Sequence, residues 1–355
     1  PLLPLKNEYA SADLGRATKG AAQGYLARLK AYQIGVDINN TSSWQEVYDL
    51  TKAVMESGQY SLMGNYAEIF EEAGENGVES VFELQYMENG AAQEPAFTGT
   101  LYSVFTNSRG GWGWGFQQPT QNLYDAYDQQ DPRLYSTICG PTVNNGIVHG
   151  VKNKYKLGEM MTPFYNRKSQ LAAKPATDKN SGYNVRMMRY AEIIFLRAEA
   201  AIHLGALAEA EDLVELVNAR ARVSTYPKGW REGQATTYEA TGWNGNLPRV
   251  AIAGLTQEDA ILKLMAEKRK EFACEFINYY DLVRTNQYLS VLDTKQANSR
   301  YYGESGYGEL RYASVNLRQN CLEKCIDGPN GVKVPLLPIP LSEVQSYGLT
   351  QNKGY

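Results

Sequence analysis

The sequence predicts a mainly α-helical protein, built from tetratricopeptide-like helical hairpins with long irregular insertions. Three observations predict it. In residues 189–223, RYAEIIFLRAEAAIHLGALAEAEDLVELVNARARV, Ala191, Ile194, Ala198, Ala201 and Gly205 recur at three- and four-residue intervals and so share one helix face. After the Gly205 break, Ala210, Leu213, Val214, Val217 and Ala221 form the inner stripe of a second helix. The pair is close in length to the roughly 34 residues of a tetratricopeptide unit, which buries its apolar faces only by stacking on neighbouring hairpins. The third observation is a similar pair near the start of the chain, about 170 residues earlier, with little helical periodicity between the two.

Taken in order, GRATKGAAQGYLARLKAY (15–32) places Ala17, Ala21, Tyr25 and Leu29 on one helical line. Thr41 or Ser42 can cap the next helix, whose stripe is Trp44, Val47, Tyr48, Thr51 and Met55 and which Gly58 ends. From 58 to 186 glycine, asparagine, glutamine and proline dominate, apart from a strand candidate, SVFELQY, near Val81. Within this insertion a glycine-rich loop carries Trp112, Trp114 and Phe116, and a short helix through Leu123 and Tyr127 is expected to stop at Asp131 and Pro132. A second polar insertion, 224–250, carries Tyr226, Trp230, Tyr238 and Trp243. A helix then opens at Thr256, which stands at capping-box spacing from Asp259, with Ile261, Leu264, Met265 and Phe272 facing the core. Its charged set Glu267, Arg269, Lys270 and Glu271 reads as a salt-bridged helix face. A tyrosine- and glycine-rich stretch occupies 299–316, and Pro338 and Pro340 forbid a regular strand in the closing tail.

Composition narrows the function. The net charge of −4 argues against a nucleic-acid partner, and no apolar run approaches the roughly 20 residues of a membrane span. The 26 tyrosines outnumber 9 phenylalanines and 5 tryptophans, and a flat ring with a polar tip suits a wet recognition surface. Cys321 and Cys325 can form one local bridge in an oxidising compartment or remain free; with no histidine nearby they leave a zinc shell unfilled, and no metal or cofactor is expected. No acidic pair stands in a recognisable glycosidase context, no serine occupies a nucleophile elbow, and the histidines are His149, in a loop, and His203, in the central hairpin as a packed or edge residue. The chain reads as a binder and not an enzyme.

Four stretches together resemble the SusD/RagB family of outer-membrane glycan-binding lipoproteins: RATKGAAQGYLARL at 16–29, MRYAEIIFLRAEA at 188–200, AEKRKEFACEFINYYDLVR at 266–284, and LLPIPLSEV with QNKGY at 336–355. PTQNLYDAYDQQDPR in the middle agrees. Phe276, Asn278 and the Tyr347-Gly348 pair depart from the family's usual residues, which bears on subfamily. The resemblance implies one SusD/RagB-like domain over 1–355, lacking the N-terminal region of longer family members. It further implies a lipid-anchored protein at the outer membrane and cell surface, a lid over a SusC-like TonB-dependent transporter that captures oligosaccharides, or in some members peptides, for import. The alternative is a peptide- or protein-binding helical adaptor.

No family motif places the ligand, so the site rests on the residues themselves. Sugar C–H patches lie on aromatic faces, and sugar hydroxyls need planar hydrogen-bonding partners. The loop from Tyr102 to Gln118 supplies both: Trp112 and Trp114 as platforms, Tyr102 and Phe116 beside them, and Asn107, Arg109, Gln117 or Gln118 for the hydroxyls. If the backbone is extended, the alternation in WGW sets both indoles on the same side. The competing reading folds the tryptophans inward as a plug. The runner-up cluster is Tyr226, Trp230 and Trp243.

Overall fold

A computed structural model of the chain describes residues 3–88, 98–175, 181–243, 247–292 and 317–355. The tyrosine- and glycine-rich stretch at 299–316 lies outside the described residues. The first hairpin comprises α1 (Lys19–Val36) and α2 (Trp44–Glu56). The Thr18 hydroxyl caps α1 by accepting the Ala21 N–H at 3.0 Å. Ser43, and not Thr41 or Ser42, caps α2: its hydroxyl accepts from the Glu46 N–H while the Glu46 carboxylate accepts from the Ser43 N–H, the reciprocal pair of a capping box.

The buried face of α1 is Gly20, Ala21, Gly24, Ala27 and Ala31. The expected line differs, since Ala17 is exposed and Leu29 is 52% exposed. The helix turns its smallest residues inward, which lets neighbouring backbones come close.

The strand β1 (Ser80–Leu84) pairs antiparallel with β6 (Val185–Arg189), which leads directly into the central hairpin of α6 (Tyr190–His203) and α7 (Leu207–Val223). Gly205, at φ +82°, makes the turn between the two helices. The α6 helix packs on α2, α7 and α8 (Gln257–Phe272), and all but Arg197 and His203 of its residues are buried. Ala198 is fully buried, and the stripe Ala210, Leu213, Val214, Val217 and Ala221 closes the core from α7. Thr256 caps α8 by accepting the Asp259 N–H at 3.2 Å. His203 stacks on Trp44 with centroids 4.1 Å apart, a packed residue at the hairpin edge.

Between β1 and β6 the elements are short: α3 (Tyr102–Thr106), α4 (Gln121–Asp125), α5 (Pro132–Thr137), and the two-residue strands β2 (Ile138–Cys139), β3 (Ile147–Val148), β4 (Val151–Lys152) and β5 (Tyr165–Asn166). Asp131 and Pro132 do not stop a helix, because α4 has already ended at Asp125. They open α5 instead, the aspartate as N-cap accepting the Arg133 N–H and the proline at a position whose N–H would have no partner. The chain closes with α9 (Asn278–Arg284), α10 (Tyr288–Leu292), α11 (Leu317–Glu323), the β7 (Cys325–Asp327) and β8 (Lys333–Pro335) hairpin, and α12 (Leu341–Tyr347), which follows Pro340. The Cys321–Cys325 bridge is not formed: both thiols are free, and that of Cys325, at the start of β7, donates to the Cys321 carbonyl oxygen at 3.1 Å. No helix among the described residues is long and apolar enough to cross a membrane.

Candidate functional site

The aromatic loop is clipped against α3. Backbone bonds run from Trp114 N–H to the Val104 carbonyl at 2.9 Å, from Phe116 N–H to Phe105 at 3.0 Å, and from Gly115 N–H to Asn107 at 2.8 Å. This close return explains the glycines. A Cβ on Gly113 would lie 2.3 Å from the Asn107 carbonyl oxygen, and one on Gly110 would lie 2.5 Å from the Tyr155 Cα. The glycines therefore admit neighbouring backbone, and the rings are carried outward.

Three rings meet on the surface. Phe105 stacks on Phe116 with centroids 4.4 Å apart, and Trp114 stands 6.3 Å from Phe105. Each is more than a third exposed: Phe105 38%, Trp114 41%, Phe116 43%. The exposed Arg109 crosses the strip, its guanidinium 5.9 Å from the Phe116 centroid, its Nε donating to the Trp114 carbonyl oxygen at 2.7 Å, and its Nη1 3.6 Å from Glu159. Phe105 is not among the residues that the sequence points to, since the stretch from Tyr102 to Gln118 reads as a loop and the structure begins it with α3. Only the return of 114–116 along α3 brings it against Trp114 and Phe116.

The other predicted residues are placed differently. Residues 109–112 form a turn, so the extended backbone that would align the two indoles is absent; Trp112 is half-buried and makes no ring contact with Trp114. Asn107 is buried, and its side-chain oxygen accepts the Ser108 N–H at 2.7 Å. The Tyr102 hydroxyl donates to Gln117 Oε1 at 3.0 Å and to the Cys274 carbonyl oxygen at 3.3 Å, its ring leans on Phe276, and burial pushes its pKa up. Gln117 is exposed at φ +54°, with its oxygen held by Tyr102 and Asn166. Gln118 binds the loop to the Met161 and Thr162 N–H groups.

The runner-up cluster gains a fourth ring. Tyr226 and Trp230 stack at 4.3 Å, Trp243 meets Tyr226 at 5.4 Å, and Tyr135 of α5 touches all three within 5.6 Å. All four are half-buried. The Asn144 side-chain amide donates to the Trp230 carbonyl oxygen and holds the insertion to the turn before β3.

Beside the strip a cleft of about 570 Å³ opens from Gln117 and Pro119 across Asn122 to Arg269 of α8 and Asn278 of α9. A second cavity, of about 400 Å³ and mostly hydrocarbon, lies between Tyr25, Leu29 and Tyr32 of α1 and Phe276 and Tyr280. Beneath both runs a buried ion network, and here the expected helix face is corrected. Glu267 is 3% exposed and Glu271 is fully buried, facing Arg133, Arg189 and Arg220 instead of solvent. Glu275 adds Arg189 and Lys168. His149, at φ +51°, is buried; its Nε2–H donates to the Gln170 carbonyl oxygen at 3.0 Å, while burial first and then the Arg167 charge push its pKa down to about 3. It is a neutral structural histidine.

Stacked helical hairpins that carry aromatic and amide-rich insertions over a charge-locked base place the chain in the tetratricopeptide-like class of helical folds. Within it, the chain belongs to the SusD family, whose model matches residues 78–355. A SusD-like protein of Bacteroides ovatus is 23% identical over 311 residues, 82% of this chain and 50% of its own length. Surface glycan-binding protein A from Bacteroides thetaiotaomicron, solved in complex with laminarihexaose, shares the fold at a TM-score of 0.67 and 22% identity, over 99% of this chain and 67% of that one. A laminarin-binding SusD-like protein gives 0.61 at 21% identity, over 98% and 65%. The chain thus spans half the length of the curated relative and about two thirds of these solved neighbours.

Proposed function

We propose that the chain captures glycans at the cell surface without chemistry, on the strip formed by Phe105, Trp114 and Phe116 with Arg109 and Gln117 alongside. The observation that carries this reading is a strip of three rings, Trp114 and Phe116 each meeting Phe105 of α3 and each ring more than a third exposed, with the backbone of the loop pinned to α3. Large exposed apolar rings in contact are unfavourable in water unless a ligand covers them. Sugar rings do so with their C–H faces, and Arg109 and the Gln117 amide nitrogen are placed for hydroxyls. Solved relatives of the same fold bind laminarin and laminarihexaose, which supports a polysaccharide ligand. In this reading residues 1–355 act as one SusD-type domain, held at the outer membrane by a lipid anchor, that hands its ligand to a SusC-like TonB-dependent transporter. The nest of Tyr135, Tyr226, Trp230 and Trp243 is a second platform on the same molecule, though its rings spend much of their area on one another.

Calorimetric titration against a polysaccharide panel tests the reading. Trp114→Ala or Phe116→Ala is expected to weaken binding by about 2 kcal/mol, roughly 30-fold, as loss of an aromatic anchor does. The melting temperature should hold, because both rings are exposed. Undiminished affinity in both variants, with a loss in Trp230→Ala, would move the site to the nest. Release of reducing sugar from any bound glycan would refute capture without chemistry.

A further inference from the structure

The cleft beside the strip carries one charge that no described residue neutralises. Among the described residues, nine other arginines are buried or half-buried, and each reaches a carboxylate within 4.0 Å. Arg269 is half-buried and reaches none. Its Nη2 donates to the Asn122 side-chain oxygen at 2.7 Å, and its other N–H groups meet no acceptor among the described residues. Desolvation lowers its pKa, with Tyr127 opposing, as burial of a cation does.

The surroundings do not supply the missing charge. Among the described residues two carboxylates line the same cleft, and both are engaged: Asp281 with Lys268 and Arg284, Glu275 with Lys168 and Arg189. Arg269 stands in the last turn of α8, where the helix dipole gives only a weak, solvent-screened attraction. A guanidinium in this state is a planar fork of donors looking for paired anionic oxygens.

We propose that the cleft binds a negatively charged sugar residue of the captured glycan, its carboxylate or sulfate group received by Arg269. The cleft's volume, about 570 Å³, lies within the range of small-ligand pockets. Gln117, the residue after Phe116, lines the cleft, so the aromatic strip and the cleft adjoin and one glycan can reach both. Asn278, whose side-chain amide makes no hydrogen bond among the described residues, faces the ring hydroxyls, and Leu123 and Met265 supply apolar walls for the C–H face. The inference rests on the capture reading and narrows it, from glycans in general to acidic ones.

The test compares oligosaccharides of equal length: a neutral glucan, an oligogalacturonate and a sulfated galactan fragment, titrated into the full chain at low and moderate salt. The expected result is at least about tenfold tighter binding of one acidic ligand than of the neutral one. That preference should shrink as salt rises and disappear in Arg269→Gln. Neutral-glycan affinity and the melting temperature should be unchanged in the variant, since Arg269 is outside the buried ion network. The galacturonate and sulfate arms tell a carboxylate from a sulfate. Equal affinity for neutral and acidic ligands in the unmodified chain overturns the acidic site and leaves capture standing, as does an acid preference that survives Arg269→Gln. Failure to bind any of a full polysaccharide panel overturns both.

Discussion

Replacing Glu271 with glutamine keeps the side chain's shape and removes its charge. The network around it is balanced, with the cations Arg133, Lys168, Arg189, Arg220 and Lys270 joined to the carboxylates Glu79, Asp131, Glu267, Glu271 and Glu275 by contacts of 2.6 to 3.5 Å. Glu271 alone touches three of the arginines. Its loss leaves one uncompensated positive charge in the core, and removing one partner of a buried pair costs about 3–5 kcal/mol. The acid–base route gives a similar figure. Burial raises the Glu271 carboxyl, but Arg220, Arg189, Arg133 and Lys168 outweigh it and bring it from 4.5 down to about 2. At about 1.4 kcal/mol for each tenfold change in proton affinity, that gap is about 3 kcal/mol.

Because the folded-state pKa is depressed, this contribution is complete above about pH 4.5 and is lost as pH falls from there to about 2. Urea unfolding followed by circular dichroism should therefore show Glu271→Gln about 3 kcal/mol less stable at pH 7, with the gap to the unmodified chain closing toward pH 2. As a control, Glu239→Gln, in the exposed pair with Arg231, should leave the transition where it was. A difference below about 1 kcal/mol at pH 7, or one that does not change with pH, would refute the argument.

Ala198→Phe should lose about 1–3 kcal/mol by overpacking the fully buried face of α6, and a stability change near zero in thermal or urea melts would count against that packing. His149 is held neutral with its pKa near 3, so the unfolded chain takes up a proton that the folded one refuses. Stability should fall as pH drops from 6.5 toward 3, and His149→Gln should flatten that part of the profile; an unchanged profile would show that His149 does not contribute. Trp114→Ala and Phe116→Ala carry the affinity prediction of roughly 30-fold, to be read against Trp112→Ala, whose half-buried ring stands apart from the strip.

What the sequence made legible was whatever repeats with the helical period. The α6–α7 hairpin could be read from Ala191 to Ala221 because small and apolar residues fall at every third or fourth position. The direction of α1 could not, since Tyr25 and Leu29 form as good a stripe as Gly20, Gly24, Ala27 and Ala31; what decides is how closely the neighbouring elements approach. Glu267 and Glu271 show the same limit. Charges four apart on a helix look alike whether water or three distant arginines face them, and Arg133, Arg189 and Arg220 come from positions that no local pattern connects. At the candidate site, ring types were readable and their grouping was not. A turn at 109–112 separates Trp112 from Trp114, and a backbone clip brings in Phe105.

The charge hub also bears on how the molecule comes apart. Its members lie at residues 79, 131–133, 168, 189, 220 and 267–275, six stretches separated by long spans of chain. An intermediate holding some of them would carry charges already stripped of water and not yet matched, so partial assembly is uphill until the last stretch arrives. Such a hub makes unfolding all-or-none across segments that local structure would leave independent. Arg133 and Lys168 belong to the irregular 60–185 insertion, and through them a region with almost no regular structure is tied to the helical array. Amide hydrogen exchange in α5 should accordingly be as slow as in α6, and the aromatic loop is thereby mounted on a base that opens only when the whole protein does.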